Sequence, residues 1–153
     1  MSTSFPLVYA ASRASVPERG AMWRALRDQG ARIVSSWIDE DGAGQTADFS
    51  DLWSRIEAEI RSADRLVLYA EADDFPLKGA LVEVGMAIAM GKPVYLVLRN
   101  VELDPRNFRP LGSWAAHPGV HRIHEVAAAV FNPDLVDPSV GAGAPAHWRR
   151  RMP

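Results

Sequence analysis

Glu83 is the first residue to single out as a candidate for chemistry. It stands in Gly79-Ala80-Leu81-Val82-Glu83-Val84-Gly85-Met86-Ala87, the most apolar helical stretch of the chain. A charged group among Leu81, Val82, Val84 and Met86 is expensive to bury unless it is paired or used. Two readings are open on spacing alone: a carboxylate that reaches solvent or a neighbouring arginine, and a group kept for function. Gly79 and Gly85 flank it and would let a backbone or a ligand come close, at a helix-propensity cost of ~1 kcal/mol each. His117, His121 and His124 have helical offsets that would suit zinc, but Pro118 and Gly119 interrupt them and no carboxylate completes a site, which favours loop histidines. Arg149, Arg150 and Arg151 beside Trp148 could meet phosphate, or form a solvated tail.

The elements that would position Glu83 follow from the alternation of apolar and amphipathic runs. Leu7–Ala11 reads as a buried strand closing on Ser12 and Arg13. Pro17 then suits a first helical position, and the helix runs to about Gln29 with Met22, Ala25 and Leu26 on one face and Gly30 as C-cap. Ala31–Trp37 reads as a second strand, Asp39–Gln45 as a loop, and Phe49–Ser62 as a helix with Leu52, Ile56 and Ile60 spaced by four. Arg65–Ala70 is a third strand, its apolar run continuous as expected when helices cover both sheet faces. After the polar loop Glu71–Pro76, Leu77–Met90 is helical with Leu77, Leu81, Val84 and Ile88 inward. Gly91 caps it, and Pro93–Leu98 is the fourth strand. Residues 101–119 read as an irregular loop, Val120–Ile123 as a short fifth strand, and Glu125–Phe131 as a short helix.

This pattern predicts a single-domain α/β fold: a doubly wound, Rossmann-like or flavodoxin-like, mostly parallel sheet of about five strands with helices on both faces. The domain spans 1–132, and 133–153 form a Pro/Gly/Ala-rich tail. Ligands in such sheets bind outside the carboxyl ends of the strands. That directs attention to Ser12 and Arg13, Trp37–Glu40, Glu71–Gly79 and Arg99–Asn107.

Composition narrows the function classes. The 153 residues carry 17 Lys+Arg against 19 Asp+Glu, a formal net charge of -2, so no overall positive field favours nucleic acid or a membrane surface. The absence of cysteine removes disulfides, thiolate zinc sites and Cys nucleophiles. No run approaches the roughly 18–20 apolar residues of a membrane span, and the N-terminus lacks a signal-peptide pattern, so the expected location is the cytoplasm. P-loop, G-x-G-x-x-G and G-x-S-x-G signatures are absent, as is a response-regulator aspartate after the third strand.

Three segments resemble the nucleoside 2-deoxyribosyltransferase family, whose superfamily includes the deoxynucleoside 5′-monophosphate N-glycosidases. They are Tyr9-Ala-Ala-Ser12-Arg13, Ala63-Asp64-Arg-Leu-Val-Leu, and Leu77-Lys-Gly79-Ala-Leu-Val-Glu83-Val-Gly85-Met-Ala87-Ile-Ala89-Met-Gly91-Lys92-Pro93-Val94. His117-Pro118-Gly119-Val120 also looks like a loop-to-strand junction of these proteins. The resemblance covers residues 6–130 in element order and is most specific from Gly79 to Val94. It implies that Glu83 is the nucleophile at C1′ of the sugar and that Tyr9 orients it. A retaining glycosyl transfer uses such a carboxylate to form a covalent intermediate.

The chain departs from the family where an acid or a phosphate-binding serine is usual, which is Leu77 here, and where a further aspartate is usual, which is Ile56. By this reading one of Glu71, Asp73 and Asp74 supplies the missing acid. Arg13 and Ser12 would contact a phosphate or ribose. Trp37 and Phe75 are candidates to stack on a base, with simple packing as the alternative. Gly79 would border the ligand.

The expected activity is N-glycosyl transfer or hydrolysis on a nucleoside or nucleotide, without metal or redox cofactor, in a homodimer or higher homo-oligomer. The alternatives are a glycosidase of another nucleotide such as a nicotinamide dinucleotide, a non-catalytic nucleotide-sensing module, and a purely structural partner.

Overall fold

Leu7–Ala11 forms strand β1, whose side chains alternate between two apolar layers. Tyr9 and Ala11 point to one face of the sheet, and Val8 and Ala10 to the other. The computed structural model describes residues 4–40 and 48–135. Around β1 the chain builds α1 (Pro17–Asp28), β2 (Arg32–Ile33), α2 (Phe49–Ser62), β3 (Arg65–Glu71), α3 (Gly79–Ala89), β4 (Val94–Arg99), β5 (Val120–Arg122) and α4 (Val126–Phe131). The five strands are all parallel in the order β2-β1-β3-β4-β5. This is the doubly wound α/β fold that the alternation predicts.

Two cores sandwich the sheet. Ile56 and Ile60 of α2 and Ala80, Val84 and Ala87 of α3 pack on Tyr9, Leu66, Leu68 and Leu96. Trp23 and Leu26 of α1 and Ala129 and Val130 of α4 pack on Val8, Val67, Tyr69, Tyr95 and Val97. Buried apolar area of this kind is the main favourable term in folding. Asp48 caps α2 by accepting from the backbone N–H groups of Ser50 and Asp51, at 2.9 and 3.3 Å. Arg65, 5% exposed, crosses beneath α4 and donates to the carbonyls of Ala129, Asn132 and Pro133, which anchors the helix's C-terminal end.

The structure corrects four local expectations. β2 is only two residues long, where Ala31–Trp37 reads as a strand. The reason lies in side chains that substitute for the ladder. Ala10 N–H donates to Ser35 Oγ at 3.0 Å, Trp37 Nε1 donates to the Ala10 carbonyl at 2.7 Å, and Ser36–Asp39 turn into a 3-10 helix.

On α1 the buried positions are Gly20, Trp23 and Leu26, while Ala25 is exposed and Met22 half-buried. On α3 the buried face is Ala80, Glu83, Val84 and Ala87, with Leu81 and Ile88 only half-buried. Small alanines let this helix settle against the sheet, and Glu83 lies on the settled face. Short 3-10 turns at Ala72–Asp74 and Ser113–Ala116 occupy segments read as loop.

Among the described residues no helix is long and apolar enough to cross a membrane. Residues 41–47, most of the tail from 136 on, and the Trp148–Arg151 run lie outside the described residues.

Candidate functional site

The sheet order places a topological switch point between β1 and β3, because the connections from these two neighbours run to opposite edges. A cleft of about 400 Å³ opens there, at the carboxyl ends of the strands. Four segments wall it: the turn Ser12–Ser15 after β1, Trp37 and Glu40 after β2, Leu52, Trp53 and Ile56 on α2, and Pro76–Ala80 with Glu83 at the start of α3. Of the residues picked from sequence, Glu83, Ser12, Arg13, Trp37 and Gly79 therefore meet in one place.

Glu83 is the chemical centre of this cleft. It is 9% exposed, and among the described residues no Lys or Arg lies within ion-pair distance of it. Burial pushes its pKa from 4.5 up to about 8, the nearby Tyr9 hydroxyl pulls it partly back, and Glu59 on α2 raises it further. A carboxyl in this setting is mostly protonated at neutral pH.

Tyr9 does not line the cleft; it sits behind Glu83, fully buried. Its hydroxyl has no partner in conventional hydrogen-bond geometry, yet it is close enough to Glu83 for each to shift the other. Desolvation, then the negative potential of Glu83 and Glu59, drives the Tyr9 pKa far up, so this phenol is a donor and never a base.

The other polar groups are partly occupied. Ser12 Oγ donates to the Tyr69 carbonyl at 2.8 Å and accepts from Trp23 Nε1 at 2.9 Å, which ties β1, β3 and α1 together and leaves no free proton for a ligand. Arg13 donates to the carbonyls of Asp73 and Asp74 at 3.2 and 3.4 Å and has no carboxylate partner among the described residues. Glu40 is paired with Arg55 at 2.8 Å. Lys78 is exposed at the entrance to α3 with φ of 51°, a left-handed conformation that costs a non-glycine residue ~1–3 kcal/mol.

Glu71, Asp73 and Asp74 do not reach the cleft, and this corrects their assignment as its acid. Asp74 is 1% exposed and grips Arg19 of α1 at 2.8 and 2.9 Å, while its Oδ2 also accepts from Glu71 N–H. Burial pushes its pKa up, but the Arg19 bonds, the Glu71 N–H and the charges of Arg19 and Arg13 together hold it below the usual carboxylate range. Glu71 accepts from Tyr69 Oη and faces Arg19 at 3.4 Å. Asp73 is exposed and contributes its backbone carbonyl to Arg13. The 3-10 turn aims these side chains toward α1 or solvent, on the far side of the loop.

Leu77 and Ile56, the places where the family resemblance expects acids or a serine, do line the cleft. Both side chains are apolar.

Sequence reading gives no role to Trp53 or Glu59, and reaches Glu40 only as the end of the Trp37–Glu40 segment. Trp53 is adjacent to the Leu52–Ile56 stripe and was masked by it, although its ring lies 3.8 Å from where a Cβ on Gly79 would stand. Phe75 is half-buried against the core and is not a cleft residue. Gly85 is exposed with no atom within 4 Å of a built Cβ, so no close approach explains that glycine. The histidines have separate surroundings: His117 Nδ1 accepts from Gly119 N–H at 2.9 Å, and His121 lies 5.4 Å from the Tyr95 ring centre. No family model matches the chain, and no curated protein matches it in sequence.

Proposed function

We propose that the cleft carries out N-glycosyl transfer or hydrolysis on a nucleoside or nucleotide, with Glu83 attacking C1′ of the sugar. The observation that carries this reading is a nine-tenths-buried carboxyl, unpaired by any cation among the described residues, in the apolar wall of a cleft at the switch point. The resemblance of the Gly79–Val94 segment to nucleoside 2-deoxyribosyltransferases supports the same role for the same residue.

Energetics decide whether so basic a carboxyl can act as a nucleophile. Raising its pKa from 4.5 to about 8 corresponds to roughly 5 kcal/mol against the anion. A unit positive charge about 3.5 Å away, at an effective dielectric near 20, favours the anion by roughly 5 kcal/mol. Positive charge developing on the sugar ring therefore offsets the burial penalty when the anion is needed. The free site holds the carboxyl largely neutral, and the anion forms where positive charge faces it.

Tyr9, held protonated, donates toward the carboxylate and fixes its direction. Collapse onto C1′ gives a glycosyl ester, and an acceptor base or water then completes transfer or hydrolysis. A homodimer or higher oligomer remains part of the reading. The outward face of α3, with Val82 53% exposed near exposed Gly85 and Ala89, is the surface for it.

A second reading, a non-catalytic nucleotide-sensing module, is favoured by one observation: Leu77 and Ile56 put apolar groups where an acid would assist a leaving base. The two readings separate in a chromatographic assay of free base. Wild type and Glu83→Gln are incubated with nucleosides and their 5′-monophosphates, with and without a second base. Release or exchange by wild type alone is expected; binding without release from any member overturns catalysis and leaves the sensor.

A further inference from the structure

The cleft has an unusual pairing of parts: one buried, unpaired carboxyl set in a wall of Trp37, Trp53, Leu77 and Ile56. We infer that its ligand is a nucleoside or nucleotide whose base carries a positive charge, such as a pyridinium or a ring-alkylated purine. This rests on the N-glycosyl reading of the site and names the substrate class for it.

One requirement of glycosidic cleavage leads here. A neutral base leaves as an anion unless an acid protonates it, so a site for neutral bases needs a proton donor at the leaving group. Among the described residues the titratable groups lining the cleft are Arg13, Glu40, Lys78 and Glu83. Glu40 is occupied by Arg55, Glu83 is needed at the sugar, the Arg13 guanidinium keeps its proton and bonds the Asp73 and Asp74 carbonyls, and Lys78 is exposed to solvent at the entrance to α3. A base that is already cationic needs no donor, because the C1′–N electron pair neutralises it as it departs.

At the carboxyl itself, as distinct from the Arg13 and Lys78 rim, charge complementarity points the same way. The groups that bear on Glu83 are Tyr9 from β1 and Glu59 from α2, with Arg55 acting on Tyr9; none of them supplies a cation to the carboxyl. The ligand is left to supply it. Indole rings add to this, since tryptophan attracts a cation over its face more strongly than other side chains.

The step balances without a co-reactant. On binding, Glu83 loses its proton to solvent. Its carboxylate then forms the O–C1′ bond while the C1′–N bond breaks and the base leaves neutral with the electron pair. Water attacks C1′, displaces the Glu83 carboxylate and releases one proton, and as products leave Glu83 regains from solvent the proton it lost on binding. Net, cationic nucleoside and water give free sugar, neutral base and a proton.

The test pairs binding with turnover. In the first arm, 1-methylnicotinamide and the uncharged nicotinamide are titrated calorimetrically in buffers of different ionisation enthalpy. With a pKa of about 8 for Glu83, the cation is expected to release about 0.9 proton per site at pH 7 and to bind at least tenfold tighter than nicotinamide. The proton release is expected to vanish in Glu83→Gln, whose folding is checked by circular dichroism.

In the second arm, nicotinamide riboside and 7-methylguanosine are compared with guanosine, each relative to its uncatalysed rate. Cleavage accelerations at least 100-fold larger for the two cations support the inference. Equal acceleration of guanosine overturns it while leaving N-glycosyl chemistry intact. Proton-linked cation binding with no cleavage of any nucleoside overturns the N-glycosyl reading instead. Failure of the cation to bind in preference to nicotinamide overturns the inference outright.

Discussion

Replacing Glu83 by glutamine should change how stability depends on pH, whatever the protein's substrate. In the folded state the Glu83 pKa is raised to about 8, against 4.5 when unfolded. Between those values the native protein keeps a proton that the unfolded chain has released, so stability falls as pH rises through this window and levels off above it. Integrating the two titrations gives a penalty of roughly 2 kcal/mol at about pH 6 and roughly 5 kcal/mol at about pH 9. The neutral amide keeps the shape and has no proton to lose. The stability difference between Glu83→Gln and wild type should therefore widen by roughly 2.5–3 kcal/mol from pH 6 to pH 9, in favour of the variant. For a chain of this size that is a relative shift in Tm of roughly 8 °C. Urea unfolding followed by circular dichroism at four pH values measures it, and taking the difference cancels the histidines and other common titrations. Parallel pH profiles for the two proteins would refute the placement of Glu83 as a buried, cation-free carboxyl.

Further outcomes follow from other parts of the fold. Gly85→Ala meets no atom of its own chain at an exposed helical position and should raise stability by about 0.5–1 kcal/mol in chemical denaturation. Arg65→Met leaves three carbonyls at the α4 end without their donor and should lower stability by about 2–4 kcal/mol, with amide exchange rising first in Val126–Phe131. Asp74→Asn breaks its pair with Arg19 and should cost about 3 kcal/mol at neutral pH. Because the Asp74 pKa is depressed when folded, that stability is present above the unfolded value of 3.8 and is lost as pH falls below it. The variant's acid-unfolding limb should accordingly be shallower than wild type's.

The strands β1, β3 and β4 were legible in the sequence because parallel strands buried on both faces read as unbroken apolar runs, as in Arg65–Ala70. β2 was overestimated because Ile33-Val34 has strand character, whereas Ser35 and Trp37 bond to Ala10 through their side chains and end the ladder. Helix bounds were readable from Pro17, Gly30 and Gly91, but which face of α3 is buried was not. Leucine and isoleucine spacing pointed to Leu81 and Ile88, while close packing selected the alanines and Glu83.

At the site, residues adjoining strand ends were found because topology alone places them at the crevice. The acids of the Glu71–Asp74 loop were misplaced because a single 3-10 turn, anchored by Arg19 some 55 positions away in sequence, reverses their direction. Trp53 and Glu59 escaped notice for a related reason: an amphipathic helix shows its core stripe in sequence, not which flank of that stripe borders a cleft.

In the proposed reaction the Glu83 carboxylate bonds to a sugar carbon. Nucleosides carrying fluorine at the 2′ position slow the second half of such a reaction and should let the glycosyl ester accumulate. Intact-mass spectrometry followed by peptide mapping reads this directly. One added glycosyl group per chain is expected, on the peptide containing Glu83, and none in Glu83→Gln. Base release from these nucleosides with no adduct, or with the adduct on another residue, would contradict it.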